Sequence, residues 1–207
     1  MNSNKEYPIR ISPEILELLG PSLYTNIYYV LAELIANSYD ADAENVWLDL
    51  SGDSIIIEDD GHGMTYEETV DKYLEVAKST RNTEAESKSR KFQRPKMGRK
   101  GIGKLAALAI SSEVRVMTKS NGELSGFTLT RSVPKDGKLL PIEDSDIHFD
   151  NISVSGTRIE MLKSEFQIPA TSITVKKNLS KFFPQLSSDK KNPFIIHIKG
   201  KDKKTLV

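Results

Sequence analysis

The chain has 207 residues, with 29 basic and 29 acidic side chains and a formal net charge of zero at pH 7. That length suits one domain, and 38% hydrophobic residues with 7% aromatics exclude global disorder. There is no cysteine, so disulfides, thiolate metal sites and a cysteine nucleophile are excluded, and three scattered histidines (His62, His148, His197) argue against a histidine-rich metal centre. No run approaches the roughly 18 apolar residues that span a bilayer, and Met1–Arg10 carries no apolar signal stretch. The expectation is a cytoplasmic protein with no membrane partner.

Ser12-Pro13-Glu14 ahead of Ile15, Leu16, Leu18 and Leu19 predicts a short capped helix ending at Gly20-Pro21. A longer helix is predicted over about Leu23 to Asp40, where Ile27, Val30, Leu31, Leu34 and Ile35 fall on one stripe. Val46, Leu48 and Leu50 alternate, and Ser54 to Glu58 holds three consecutive isoleucines. This pattern predicts two strands joined at Ser51-Gly52-Asp53, the second buried on both faces. Another helix is expected from about Tyr66 to Ala77. Ser79 to Lys100 is almost without apolar residues, so it is expected to be a mobile loop outside the core. Gly101-Ile102-Gly103 then opens a small-residue helix, Lys104 to Ile110. Strands are expected near 113–119, 126–131 and 157–162, then a helix near 171–183 and a strand near 194–199. The Lys-rich end just after that strand marks a point where a further domain would begin.

Charge is neutral overall but not locally. Glu33 to Glu75 holds 13 carboxylates against one lysine, whereas Lys78 to Lys104 holds 10 basic residues against Glu84 and Glu86. An acidic segment followed by a basic one suits a site where a metal and a polyanion meet, or else two solvated faces.

Three constellations carry chemistry. Glu33, Asn37 and Asp40 stand at i, i+4 and i+7, on one face of the long helix beside its apolar stripe. A glutamate there can take a proton from water and an asparagine can offer a neutral oxygen to a hard cation; the plainer alternative is a solvated helix face. Asp59-Asp60-Gly61-His62-Gly63-Met64 follows a buried strand, and its glycines allow a sharp turn and close backbone approach, or simply an acidic turn. Gly98-Arg99-Lys100-Gly101-Ile102-Gly103-Lys104 nearly matches a P-loop, but Leu105 stands where a magnesium-binding hydroxyl is needed and no strand leads in. What remains is an anion site of glycine amides at a helix start with cations nearby.

In this order and spacing the three elements resemble the GHKL ATPase superfamily, named for DNA gyrase, the heat-shock-90 chaperone, histidine kinases and MutL. Glu33-Leu-Ile-Ala-Asn37-Ser-Tyr-Asp40-Ala41 resembles its N box, Asp59-x-Gly61-x-Gly63-Met64 its adenine-side box, and Gly98-x-x-Gly101-x-Gly103 its phosphate-side box. Gly156-Thr157 is similar to its final Gly-Thr motif, and Val76-Ala77-Lys78-Ser79 to the start of the lid in the chaperone branch. Each match is weak singly; together they are specific.

The resemblance implies an α/β two-layer sandwich, the Bergerat fold, with a mixed sheet, helices on one face and a flexible ATP lid at about residues 78–100. Residues 1–207 would be one such domain, the N-terminal part of a longer protein. ATP and magnesium are the implied ligands. Asn37 would hold the metal, and Glu33 would activate water. Asp59 would accept from the adenine amine with help from Thr157, while Gly61, Gly63 and Met64 would line the base. Gly98, Gly101, Ile102 and Gly103 would hold the phosphates, with Lys78, Ser79, Lys100 and Lys104 at the lid and loop. Asp40 would serve either the magnesium shell or the purine side. Glu33 favours hydrolysis over histidine phosphorylation. The resemblance further implies homodimerisation on ATP binding through the lid and N-terminal segment, with a nucleic acid or client protein engaged through downstream domains. The alternative is a nucleotide-gated binding module, touching nucleic acid through its basic lid, in which hydrolysis is incidental.

Overall fold

The structure is a computed structural model that describes residues 5–9, 26–75, 87–98, 103–132, 137–164, 171–184 and 193–207, excluding the side chain of Lys104. The short helix expected at 12–20 lies outside the described residues.

The long helix, α1, spans Ile27–Asp40. The Asn26 side chain caps it, accepting from the Tyr28 amide at 2.9 Å and so satisfying one of the helix's orphan donors. Val30, Leu31, Leu34 and Ile35 are fully buried, as their spacing predicts. Strands β1 (Tyr7–Pro8), β2 (Asn45–Asp49), β3 (Ile55–Asp59), β4 (Ser111–Ser120), β5 (Glu123–Thr130), β6 (Lys138–Pro141), β7 (Gly156–Ser164), β8 (Ile195–Lys199) and β9 (Thr205–Leu206) form one sheet in the order β1-β6-β5-β4-β7-β3-β2-β8-β9. Among these strands only β2 and β8 pair in parallel, so the sheet is mixed, as expected.

Register decides which side chains meet α1. Leu48 pairs with Ile57, Ile57 with Ile159, and Ile159 with Val116, a row of apolar side chains crossing four strands on one face. These residues join the α1 stripe in a single core. The next row, Trp47–Glu58–Arg158–Met117, faces the opposite way. Trp47 stacks on His197 at 5.3 Å. Both faces of β3 are indeed covered, but by different means. Glu58 is buried because Arg158 donates to it at 2.7 Å, while Arg158 also pairs with Glu160 and Asp150.

Other helices are less regular than expected. The stretch after Met64 is one short α-helical turn, α2 (Tyr66–Glu68), continuing as a π-helix, Thr69–Tyr73. Thr65 and Glu68 form a reciprocal capping box at its start. The small-residue helix is a 3-10 helix, Gly103–Ala109, fully buried from Leu105 onward, and α3 spans Ser172–Leu179.

The expectation that 79–100 stays out of the core is corrected over 87–98. There the chain forms a tight strap. Lys88 bridges Pro95, and Arg94 is 1% exposed despite its charge. Its guanidinium donates to the carbonyls of Tyr39 (3.3 Å), Ala43 (2.7 Å) and Pro193 (2.7 Å), and lies within 6 Å of the rings of Tyr39, Phe92 and Phe194. A cation can be buried when carbonyls accept its hydrogen bonds and aromatic faces stabilise its charge. Asp42 returns the grip, accepting from the amides of Lys91 (2.6 Å) and Phe92 (3.0 Å).

Leu31 is wholly enclosed at the centre of the α1 stripe. Leu31→Ala is expected to lower the unfolding free energy by about 2–5 kcal/mol in urea titration; a loss under about 1 kcal/mol would mean that the helix does not seat as described.

Candidate functional site

The carboxyl end of α1 gathers the first group of predicted residues. Glu33, Asn37 and Asp40 share the face next to the buried stripe, and the two described ends of the glycine stretch come down on it. A Cβ built on Gly103 would sit 2.5 Å from Glu33 Oε2 and 3.8 Å from Asn37 Oδ1. One built on Gly98 would sit 3.1 Å from Asp40 Oδ2 and 3.9 Å from Asn37 Oδ1. Both positions therefore accept glycine because backbone lies directly on the helix face. Gly101, Ile102, Lys100, Lys78 and Ser79 lie outside the described residues, as does the Lys104 side chain.

Asp40 has a specific task here. Its Oδ1 accepts from the Met97 amide at 2.8 Å and its Oδ2 from the Gly98 amide at 2.9 Å. It thus holds the incoming strand of the glycine loop, at the Asn37 end of the site. Burial, and secondarily the Asp40 charge, raise the Glu33 carboxyl above its ordinary range. A half-buried glutamate with raised basicity is suited to taking a proton.

The second group forms around β3. Asp59 ends the strand on the α1 side and is 6% exposed. Ser38 Oγ donates to its Oδ2 at 2.9 Å and the Gly61 amide to its Oδ1 at 3.0 Å. Desolvation still dominates and pushes the carboxyl up to about 6. Thr157 is the cross-strand partner of Asp59 on β7. The Met64 amide donates to Thr118 Oγ1 at 2.9 Å, that hydroxyl donates to the Gly156 carbonyl at 3.1 Å, and it lies 3.4 Å from Thr157 Oγ1. Gly63 adopts φ +61°, and a Cβ there would collide with the Lys119 carbonyl, so the turn requires glycine.

Asp59, Gly61, Gly63, Met64 and Thr157 are thus brought together, and α1 links them to Glu33, Asn37 and Asp40 through Ser38. Sequence reading missed Ser38 and Thr118. Each left a faint signal: Ser38 continues the Leu31–Leu34 stripe, and Thr118 continues the alternation Val114–Val116, so both are polar residues at core positions. A separate cleft of about 690 Å³ is lined by His62, Thr65, Glu68, Arg90 and Ser155 among others, but holds none of the predicted site residues. The convergent polar groups lie outside that cleft.

The sequence profile of the histidine kinase-, DNA gyrase B- and HSP90-like ATPases matches residues 24–157. The chain belongs to that family. ATP binding is supported at the level of this family, whose matched span takes in all of α1 and runs to Thr157. Among its relatives is HgiDII of Herpetosiphon aurantiacus, a candidate type II restriction enzyme, 30% identical over 193 residues that make up 90% of this chain and 31% of that one. The chaperone protein HtpG of Chlorobaculum tepidum is 28% identical over 197 residues, 82% of this chain and 30% of the chaperone. HtpG of Halalkalibacterium halodurans is 30% identical over 159 residues, 66% and 25% respectively. The chain therefore spans less than a third of the length of these relatives. Among the described residues no helix is long and apolar enough to cross a membrane.

In this ATPase-family domain the raised carboxyl of Asp59 makes stability depend on pH. Asp59 binds its proton more tightly folded than unfolded, so folding takes up a proton between pH 3.8 and about 6. Its contribution to stability is complete below that window and is lost as pH rises through it. Asp59→Asn, which keeps the shape, is expected to flatten the fall in unfolding free energy between pH 4 and 7 by on the order of 2–3 kcal/mol relative to the parent chain. Parallel pH profiles for the two proteins would assign the buried proton elsewhere.

Proposed function

We propose that this domain binds ATP with magnesium and hydrolyses it slowly, as the nucleotide-driven part of a larger protein. The observation that carries this reading is the convergence of Gly98 and Gly103 on the Glu33–Asn37–Asp40 face, one buried hydrogen bond away from Asp59. A site of this kind offers backbone and cations to phosphates at one end and a lone carboxylate to a base at the other.

The residues fit a magnesium nucleotide. Asn37 and Asp40 present hard oxygen donors, and the glycines let loop backbone close on their face of the helix, where a Cβ at position 103 would strike Glu33 and one at position 98 would crowd Asp40. Asn37 would hold the metal, which when bound supplies charge neutralisation at the phosphates. Asp59 keeps acceptor capacity beyond its bonds from Ser38 and Gly61, and accepts from the exocyclic amine of adenine. Thr157 supports that contact from the neighbouring strand, and Met64 packs on the ring. Glu33 orients water and removes its proton, and its raised basicity favours that transfer. Asp40 acts at the phosphate end, holding the loop, and the purine-side role is set aside. Lys78, Lys100 and Lys104 balance phosphate charge, while Ser79, Gly101 and Ile102 complete the lid base and loop.

The effector stands outside this chain. Its relatives are named as a candidate restriction enzyme and as chaperones, so a shared nucleotide domain serves different ends. Nucleic acid or a client protein is engaged by parts beyond this domain, and ATP promotes pairing of two copies through the lid and N-terminal segment. Turnover by the isolated chain is accordingly slow. Fast hydrolysis by a strict monomer would contradict this.

Glu33→Ala separates hydrolysis from simple nucleotide gating. It is expected to reduce turnover by at least about 10²-fold while calorimetric affinity for a non-hydrolysable ATP analogue stays within about threefold. Asp59→Asn is expected to abolish that binding. If Glu33→Ala leaves turnover intact, the glutamate is not the base and the gated-binding reading takes precedence.

A further inference from the structure

The strap 87–98 ties the nucleotide-site end of α1 to the start of β8. At its far end Asp40, one turn from Asn37, holds the amides of Met97 and Gly98. Three residues earlier, Arg94 holds the carbonyls of Tyr39 and Ala43, at and just past the end of α1, with one part of its guanidinium and the carbonyl of Pro193 with another. Pro193 and Phe194 lead directly into β8, and Phe194 also packs edge-on against Tyr39 at 5.2 Å. The Ile195 amide then donates to the Glu44 carbonyl at 2.8 Å, just beyond the end of α1. A route therefore runs along α1 from Asn37 to Asp40, by hydrogen bond to Gly98, along the strap to Arg94, and by hydrogen bond to Pro193 and β8, with the guanidinium joining helix end, strap and strand.

We propose that Arg94 is a positioning residue that couples occupancy of the nucleotide site to the seating of β8, and through it to whatever follows this domain. The inference rests on the nucleotide reading above and adds a route to it. Asp40 is where the two meet. It carries negative charge beside Asn37 and the glycine loop, and it also fixes the end of the strap. A bound metal–phosphate group changes the electrostatic demand on that carboxylate, so the two states of the site interact differently with the Met97 and Gly98 amides, as any transmitted change requires. The strap is too short between Gly98 and Arg94 to absorb a shift in slack chain, and Arg94 is enclosed by three rings and three carbonyls. A displacement at its end is therefore passed to Pro193. A lysine in its place keeps a charge but cannot reach two directions at once with a planar fork.

Hydrogen exchange read by mass spectrometry on the 207-residue chain tests this, with calorimetry run alongside to measure binding of a non-hydrolysable ATP analogue with magnesium. In the parent chain the analogue is expected to change exchange at least about twofold in peptides covering 193–199. In Arg94→Lys the analogue still binds, within about fivefold of the parent affinity, but the 193–199 response is lost while the response around Asp59 and Gly61 remains. A purely structural role would instead raise exchange throughout the domain, with or without nucleotide, and would overturn the coupling. Binding by the parent chain with no change at 193–199 also overturns the coupling and leaves the nucleotide site standing; this arm needs no variant. So does a preserved 193–199 response in Arg94→Lys. No binding by the parent chain overturns the nucleotide reading itself, and the coupling with it.

Discussion

The hydrogen bond from Ser38 to Asp59, 2.9 Å long and buried, joins the helix layer to the sheet at the point where both begin to serve the site. It exists only because α1 sits on the sheet in one rotation. Val30, Leu31, Leu34 and Ile35 share one core with Leu48, Ile57, Ile159, Val116 and the buried 3-10 helix, and that seating places the next turn of helix at the end of β3. Turning α1 by one residue would move about 100° of helix face and take Glu33 and Asn37 off the glycine loop along with Ser38. Core packing and site assembly are thus one constraint. The cost of burying the Asp59 carboxylate, visible in its raised pKa, is borne by the same packing.

The end of α1 presents a second problem that the strap resolves. Asp40 and Asp42 put two carboxylates at a helix carboxyl terminus, where the macrodipole is already negative and no basic residue lies in the last turn. Backbone amides of Met97, Gly98, Lys91 and Phe92 satisfy the carboxylates, and Arg94 supplies the missing positive charge to the terminal carbonyls. The contrast between an acidic segment and the basic one after it is therefore partly consumed inside the fold. Arg94 goes to the helix end, Lys91 pairs with Glu44 at 2.7 Å, and Arg90 with Glu68 at 2.7 Å. The last two pairs are largely exposed and contribute little energy. A nucleic-acid role for the same basic run loses Arg94, which no external phosphate can reach.

Elements with a strong period are legible in the sequence: the α1 stripe, the alternation of β2, the isoleucines of β3 and the long strands β4 and β7. Short strands at the sheet edges or next to them are not. β1 and β9 have two residues each, and β6 buries only Leu139 of its four. Pro8 and Pro141 also argue against strands, yet Pro8 lies on the edge strand β1 and Pro141 lies beyond the two residues of β6 that β1 covers, where no ladder donor is needed on the open side. The site is legible as three motifs because glycine, asparagine and carboxylates at those spacings have few other uses in combination. Ser38, Thr118 and Arg94 are obscured for a shared reason. Each is a polar residue whose position in a core can be justified only by partners distant in sequence: Asp59 for Ser38, Gly156 for Thr118, Pro193 for Arg94. By composition, a segment so poor in apolar residues should not be buried. That rule fails when one cation finds carbonyls and rings enough to replace water.

Two carboxylates at the site, Glu33 and Asp59, both have raised proton affinity, and the same cause leads each time: loss of water. Their surroundings nonetheless differ in a way that fits the two roles proposed for them. Asp59 is enclosed, and its bonds from Ser38 and Gly61 stabilise the charged form against burial, so it suits a fixed acceptor that must not wander. Glu33 is only half-buried, and its second influence is repulsion from Asp40, which raises proton affinity further instead of opposing it. An acceptor for a ligand's amine needs the first environment and a base for water needs the second. Asp40 accordingly contributes twice, by holding the Met97 and Gly98 end of the glycine loop and by raising the proton affinity of Glu33 through space. The spacing of the three on one helix, which in the sequence is only a polar face, is what allows a single carboxylate to do both.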